Sequence, residues 1–148
     1  MRSTIAQPEE KILLHISNFR PVKRIRDIIT IFYKVQQKLD SKLIMIGEGP
    51  EKESAIRYAK ELGVKDKIIF MGNTTEIKKI LCYADLFLLP SATESFGLAA
   101  LEAMAAGVPV VSTNAGGLSE IITDGENGHM SDVGDVESMS KQALAILK

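Results

Sequence analysis

Short apolar runs alternate with longer amphipathic segments along most of the chain. The runs are rich in Ile, Leu, Val and Met, and the segments that follow repeat apolar residues at helical spacing. The pattern predicts strands at residues 12–17, 42–46, 67–71, 86–89, 108–112 and 128–130, and helices at residues 22–39, 51–62, 76–82, 97–106, 118–123 and 135–147. This repeated alternation predicts an α/β fold with a doubly wound parallel sheet of about six strands.

The first predicted helix carries an unusual concentration of positive charge at its start. Four cations crowd this end: Arg20, Lys23, Arg24 and Arg26. A helix dipole disfavours cations there, by about 0.3 to 1 kcal/mol each, so helix stability does not account for them. An external anion is one explanation, and a solvated basic rim is the other.

Residues 84–106 combine a strand, a polar loop and a small-residue helix. Such a loop and helix start at the carboxyl end of a strand are where open parallel sheets bind ligands. Two carboxylates, Glu94 in the loop and Glu102 in the helix, bracket the junction with seven residues between them. Since Glu102 lies roughly 8 Å along the helix, the pair can hold two ends of an extended ligand. The alternative is an acidic loop residue beside a solvated helical Glu.

Composition narrows the class of protein. The 148 residues suit one domain with a real core, and the net charge of −1 gives no hint of nucleic acid or a membrane surface. The single cysteine, Cys82, excludes an intramolecular disulfide and is predicted to be buried in its helix. With no secretory signal and no long apolar run, the sequence predicts a cytoplasmic protein without a membrane span. Residues 1–11 are predicted to be a leader or linker remnant, and residues 12–148 the domain.

The central junction also resembles a known family. Glu94-Ser95-Phe96-Gly97-Leu98, followed by Glu102, resembles the E-x7-E signature of retaining glycosyltransferases of family 4 type with the GT-B fold. That fold has two Rossmann-like domains, and the resemblance, over about residues 12–148, implies the donor-binding one.

The resemblance implies a role for each residue of the signature. Glu94 would hydrogen-bond the donor sugar, and Glu102 would hold the ribose hydroxyls. The backbone amides of Phe96 and Gly97 would meet the sugar, and those of Leu98 and Ala99 would meet the diphosphate. Ser95, within the signature, is also expected to bind the substrate. These roles suit the chemistry, because carboxylates accept hydrogen bonds from a diol and helix-start amides bind phosphate.

A second run of the family, G-R-x-x-x-x-K-G, aligns with Ser17-Asn18-Phe19-Arg20-Pro21-Val22-Lys23-Arg24. Lys23 matches the family lysine and would stabilise the leaving UDP. Asn18 stands where an arginine is expected, and either Arg20 or Arg24 could supply the second cation. The string HISNFRPVKR resembles a subfamily that joins N-acetylglucosamine to L-malate. Backbone groups near Gly72 and Asn73 would contact the uracil edge by the same resemblance.

Other residues carry weaker signals. The turn Gly47-Glu48-Gly49-Pro50 has a sufficient structural explanation, so Glu48 is not assigned as a ligand. Thr74 or Thr75 could cap the helix at residues 76–82. His15 and His129 have no nucleophile or metal-ligand partners at telling positions, so structural roles are predicted for both. We expect no metal cofactor, because Lys23 and helix amides can offset the charge of a departing diphosphate.

The resemblance implies transfer of a sugar from a UDP-sugar, with UDP-N-acetylglucosamine favoured and L-malate as a small acceptor. It also implies a separate N-terminal acceptor domain, for which this chain has no room, and an exposed interdomain face that could self-associate. Two alternatives remain open. One is a nucleotide-sugar binding module, or a fragment that is inactive without the acceptor domain. The other is a structural Rossmann-like domain whose site has decayed.

Overall fold

A computed structural model describes residues 2–91, 98–114 and 128–147. In this part of the chain strands and helices alternate, with short 3₁₀ turns at Arg2–Thr4, Pro21–Lys23 and Lys65–Lys67. The elements are β1 (Lys11–Ile16), α1 (Ile25–Gln36), β2 (Ser41–Ile46), α2 (Lys52–Glu61), β3 (Ile68–Gly72), α3 (Ile77–Tyr83), β4 (Leu86–Leu89), α4 (Leu98–Ala105), β5 (Val110–Thr113), β6 (Gly128–Ser131) and α5 (Val136–Leu147). The predicted fold class is confirmed. The predicted helix at residues 118–123 lies outside the described residues.

The six strands form one parallel sheet in the order β3-β2-β1-β4-β5-β6. Successive strands are added on one side of β1 up to β3, and the chain then returns to place β4 on the other side. The strand order therefore reverses between β1 and β4. In doubly wound sheets, ligands bind at the carboxyl ends of the strands that flank such a switch point.

The core lies on both faces of the sheet because side chains along each strand alternate between them. Leu13 packs with Phe32 of α1 on one face, and Leu14 packs with Ala103 of α4 on the other. Burial on both faces explains why the central strands are continuous apolar runs. On α4, Ala100 and Ala103 are fully buried, so small side chains let this helix lie close to the sheet.

The first helix starts later than its periodicity predicts. In place of one helix over residues 22–39, the chain forms the 3₁₀ turn Pro21–Lys23 and then α1. Arg24 separates them with a left-handed backbone, φ 51° and ψ 54°, and its N–H donates to the carbonyl of Pro21 at 3.0 Å. A left-handed residue cannot continue an α-helix, so the apolar spacing is preserved across a break that the pattern does not reveal.

This break changes the interpretation of the basic cluster. Arg20 and Lys23 precede α1, and only Arg24 and Arg26 lie at its start. The prediction that all four cations crowd one helix end is therefore wrong. The helix dipole disfavours only two of these cations, the arginines at the start of α1.

The predicted burial of Cys82 is also wrong. Cys82 is exposed on α3, whereas the preceding Ile80 and Leu81 are buried. Neighbouring residues on a helix point in different directions, and the sequence around Cys82 did not show which of them faces the sheet.

Residues before β1 pack against the domain. Ala6 is buried with the apolar cluster that contains Ile12, and the buried Glu10 accepts a hydrogen bond from the backbone N–H of Gln7 and pairs with Lys42. The Gln7 hydrogen bond, with help from Lys42, lowers the pKa of Glu10. Across the described ranges, no helix is both long and apolar enough to cross a bilayer.

Candidate functional site

The loops that follow β1, β2 and β3 form a groove of about 360 Å³ at the carboxyl edge of the sheet. Its lining residues come from all three loops and from the start of α3: Ile16, Ser17, Asn18, Ile46, Gly47, Glu48, Asn73, Thr74 and Ile77. The groove therefore brings together Asn18 and Asn73, two of the residues singled out in the sequence. We call it the inner groove.

A second groove, of about 650 Å³, lies between α3 and α4 and is called the outer groove. It is lined by Thr74 to Lys79 on one side and by Glu102 on the other. Thr74 and Ile77 line both grooves, so the two adjoin. The exposed carboxylate of Glu102 is thus available to a ligand that also occupies the inner groove.

Glycines allow the loops around the inner groove to approach each other closely. A Cβ at Gly47, where φ is +137°, would lie 1.8 Å from the carbonyl oxygen of Ser17. A Cβ at Gly49 would lie 2.8 Å from the carbonyl oxygen of Phe19, which also accepts a hydrogen bond from the N–H of Glu51 at 2.9 Å. The turn after β2 therefore requires glycine to pack against the loop after β1.

Gly72 is the last residue of β3 and directly precedes Asn73, which lines the inner groove. Its φ is +72°, and the position of a Cβ would lie 2.8 Å from a carboxylate oxygen of Glu48. Its carbonyl accepts a hydrogen bond from the N–H of Gly47 at 3.0 Å. Glu48 itself lines the groove and pairs with Lys52 at 3.0 Å. In the sequence, the turn alone is a sufficient explanation for Glu48. No feature of the residues around it indicates that it lies beside Asn73.

Thr74 begins the loop that leads into α3. Its hydroxyl oxygen accepts a hydrogen bond from the N–H of Glu76 at 3.1 Å. Glu76 is itself the residue that precedes α3, and no side-chain hydrogen bond within the described residues caps this helix, so the prediction that Thr74 or Thr75 caps it is wrong. The hydrogen bond between Thr74 and Glu76 instead fixes the wall that the two grooves share.

The guanidinium of Arg24 is turned away from the inner groove. Its Nε donates to Asp27 Oδ2 at 2.6 Å, and its Nη2 lies 3.3 Å from where a Cβ at Gly134 would stand. Arg24 instead lines a third groove, of about 430 Å³, with Arg26 and Tyr58. The structure thus does not bring Arg24 together with Asn18. Its left-handed backbone matches the glycine that ends the family run at this position.

The other two cations of the basic cluster, Arg20 and Lys23, line neither of these grooves. Arg20 is exposed in extended conformation before the 3₁₀ turn, and Lys23 is half-buried in that turn. The charge of Lys23 acts on the ring of His15, whose pKa it helps to lower. Lys23 therefore lies near the carboxyl end of β1.

His15 is fully buried between β1 and β4. Its Nδ1 lies 2.8 Å from the carbonyl oxygen of Leu88, and its Nε2 lies 2.7 Å from Ser17 Oγ. The rings of Phe19 and Phe87 flank it at 6.3 and 6.2 Å between centroids. Burial lowers the pKa of His15 to about 4, against a partly compensating hydrogen bond to Leu88. The imidazole is neutral near pH 7.

The carboxyl ends of β4 and β5 are joined by buried polar groups. Thr113 Oγ1 donates to the carbonyl oxygen of Ser91 at 2.7 Å, and both residues are buried. Among the residues that the structure describes, none forms a hydrogen bond with the Ser91 hydroxyl.

The loop between β4 and α4 contains the predicted residues Glu94, Ser95, Phe96 and Gly97, and these lie outside the described residues. Leu98 and Ala99 form the first turn of α4. Their N–H groups are among those that an α-helix leaves without intrahelical partners. No group of three or more His, Cys, Asp or Glu side chains close enough to bind a metal occurs within residues 2–91, 98–114 and 128–147. Metal independence stays a prediction.

Comparison with known proteins gives the family. The model of the family described as glycosyl transferases group 1 matches residues 1–148. The chain is 44% identical over 139 residues to N-acetyl-alpha-D-glucosaminyl L-malate synthase of Bacillus anthracis. That match covers 94% of this chain and 36% of the relative, so the chain spans about a third of the length of this curated relative. The family resemblance of the sequence motifs is confirmed.

Solved structures give the same result for the fold. The chain is similar to a TarM variant of S. aureus in complex with fondaparinux, alpha-GlcNAc-glycerol and UDP, with a TM-score of 0.88 and 29% identity. This match covers 94% of the chain and 29% of TarM. It is also similar to the C-terminal domain of a group 1 glycosyl transferase, LpcC, of Francisella tularensis. There the TM-score is 0.84 at 28% identity, over 93% of this chain and 76% of that one.

Proposed function

This chain belongs to the group 1 glycosyltransferase family, and on that premise we propose that it is the donor-binding part of a retaining glycosyltransferase. The donor is a UDP-sugar, with UDP-N-acetylglucosamine favoured, and L-malate is the favoured acceptor. The observation that carries the proposal is the pair of adjoining grooves at the carboxyl edge of the sheet, with Asn18 and Asn73 in one and Glu102 in the other.

The grooves suit the two halves of a nucleoside. The inner groove, at about 360 Å³, is near the lower end of the usual size of small-molecule pockets and would hold the uracil ring. Backbone groups near Gly72 and Asn73 would contact the uracil edge. The ribose would then lie beside the shared wall at Thr74, where the Glu102 carboxylate accepts hydrogen bonds from both ribose hydroxyls.

The diphosphate and the sugar would lie towards the start of α4. The N–H groups of Leu98 and Ala99 would bind the diphosphate, and Lys23 would stabilise the negative charge that grows on it as the bond to the sugar breaks. Glu94 would orient the sugar while an acceptor hydroxyl forms the new bond on the same face, as the bond to UDP breaks, and passes its proton to the departing diphosphate. This chemistry requires no metal for the leaving group.

The acceptor would be bound elsewhere in the protein. The chain aligns with 36% of the Bacillus anthracis relative, which leaves most of that relative without a counterpart here. We infer that an N-terminal domain supplies the acceptor pocket and closes over the donor. The name of this relative, and the similar string at residues 15–24, support N-acetylglucosamine and L-malate as the two substrates.

A second candidate is a module that binds a nucleotide sugar without catalysing transfer by itself. It is favoured by Asn18, which replaces the family arginine, and by Arg24, whose guanidinium is bound to Asp27. Both observations leave Lys23 and the exposed Arg20 as the cations proposed for the diphosphate. Adding a separately produced acceptor domain separates the candidates, since restored turnover supports the enzyme and binding without turnover supports the module.

Calorimetric titration of the chain with UDP-N-acetylglucosamine tests donor binding directly. Glu102→Ala removes a charged hydrogen-bond acceptor, which typically contributes about 1.5 to 3 kcal/mol, so the affinity is expected to fall at least tenfold. The control is Glu53→Ala, which removes an exposed acid of α2 that lines neither groove. Equal affinities in these two variants would contradict the proposed site for the ribose.

A further inference from the structure

His15 connects the two strands that flank the switch point. The backbone ladder between β1 and β4 pairs Leu13 with Leu86 and Leu14 with Phe87. Beyond this ladder, the side chain of His15 contacts the Leu88 carbonyl at 2.8 Å. The ring thus adds a hydrogen bond between β1 and β4 beyond the last backbone pair, near the carboxyl ends of both strands.

The chemistry of these contacts fixes the tautomer. A backbone carbonyl can only accept a hydrogen bond, so the proton of the neutral ring must be on Nδ1. Nε2 is then an acceptor, and at 2.7 Å the Ser17 hydroxyl must donate to it. The single hydroxyl proton of Ser17 is therefore committed to His15.

Ser17 is held at three points on the wall of the inner groove. Its hydroxyl donates to His15, its N–H donates to the carbonyl of Ile46 at 3.1 Å, and its carbonyl faces Gly47 across the close contact described above. Ser17 directly precedes Asn18, and both residues line the groove. The ring of His15 is thus one of the constraints that set the shape of this wall.

We propose that His15 is a positioning residue of the donor site, which holds Ser17 and the loop after β1 in register with the end of β4. The inference rests on the proposed function, because it concerns the same groove. His15 does not touch the donor. It acts by keeping the wall of the inner groove that Ser17 and Asn18 form in the shape that the nucleoside requires.

Protonation would disrupt this arrangement. A charged ring donates at both nitrogens. The Ser17 hydroxyl could then no longer donate to Nε2 and would have to rotate so that its oxygen accepts. The charged group known to act on the ring is Lys23, from the 3₁₀ turn, and it opposes a second positive charge. The other neighbours, Phe19 of the loop, Phe87 of β4 and Met45 of β2, carry no charge.

Three variants separate the two hydrogen bonds of the ring. His15→Asn can still donate to Leu88 but cannot reach Ser17, whereas His15→Gln places an amide oxygen where Nε2 stood. Ser17→Ala removes the other partner of the same bond. The stability control is Val35→Ala, which opens a cavity at the far end of α1, away from the groove.

The readout is the affinity for UDP-N-acetylglucosamine by calorimetry. His15→Asn and Ser17→Ala are each expected to weaken binding about three- to tenfold, the effect of one neutral hydrogen bond. The double variant should be no weaker than either single one, because both changes remove the same contact. His15→Gln should recover most of the loss, and Val35→Ala should bind as the unchanged chain does.

Two results would overturn the inference, and they are distinguishable. If the unchanged chain binds but His15→Asn and Ser17→Ala bind within about twofold of it, the positioning role is wrong and the proposed function stands. If the unchanged chain is folded and does not bind, the proposed function fails and the inference fails with it.

A measurement on the unchanged chain covers the case in which a variant does not fold. The ¹⁵N chemical shifts of the His15 ring, read by NMR at pH 7, are expected to show a protonated Nδ1 and an unprotonated Nε2. A proton on Nε2 would contradict the hydrogen bond from Ser17 and refute the proposal.

Discussion

Acidification is expected to destabilise the protein through His15 before its carboxylates are protonated. The fully buried ring has a pKa of about 4 in the folded state, against 6.5 when unfolded. Between these values the unfolded chain binds the proton and the folded one does not. The stability that His15 contributes is thus complete above about pH 6.5 and is lost as the pH falls towards 4.

The size of this loss follows from the two pKa values. At about 1.4 kcal/mol per pKa unit, lowering the pKa from 6.5 to about 4 corresponds to about 3.5 kcal/mol. That is a large part of the ~5 to 15 kcal/mol that stabilises a typical domain. Glu10 and Glu137 have lowered pKa values, so they add a loss of their own, but only below their ordinary value of 4.5.

Urea denaturation at a series of pH values from 8 to 4, followed by circular dichroism, measures this effect. His15→Gln is the reference, because it lacks the titrating ring and keeps both glutamates. The difference in unfolding free energy between the unchanged chain and the variant should shrink as the pH falls from about 6.5 to 5. A difference that is constant across this range would refute the reasoning about the buried ring.

Two further predictions concern the loops around the inner groove. Gly47→Ala should cost clearly more than about 1 kcal/mol by denaturation, because its Cβ would collide with the Ser17 carbonyl, while Gly63→Ala, also at positive φ but with open space around it, should cost less. Equal costs would mean that backbone strain and not the close contact requires glycine at position 47. Arg24→Gly should be at least as stable as Arg24→Ala, because both lose the pair with Asp27 but only glycine relieves the left-handed backbone. A less stable Arg24→Gly in thermal unfolding would show that the backbone at this position is not strained.

The strands were predictable because this sheet is buried on both faces. Continuous apolar runs such as Leu86–Leu89 have few other interpretations, and the prediction for β4 agrees with the structure at both ends. The start of α1 was not predictable from periodicity, because the left-handed turn at Arg24 leaves the apolar spacing intact. The sequence did contain one signal of this turn: the family run has a glycine at the position of Arg24.

The sequence was sufficient to predict where the candidate site lies, but it predicted only some of the residues that form the site. A strand, a loop and a helix start imply a site at the carboxyl edge of the sheet, and Glu102 lies there. The contact between His15 and Leu88 joins residues 73 positions apart, so no local pattern reveals it. The same holds for Glu48 beside Asn73, because the neighbouring loops meet only through the pairing of β2 with β3.

A crystal structure of the chain with bound UDP tests the central claim most directly. The account predicts that the uracil ring occupies the inner groove beside Asn73 and that both ribose hydroxyls lie within hydrogen-bond distance, about 3 Å, of the Glu102 carboxylate. The diphosphate should then point to the N–H groups of Leu98 and Ala99. UDP bound in the third groove beside Tyr58, or a ribose without contact to Glu102, would contradict the account.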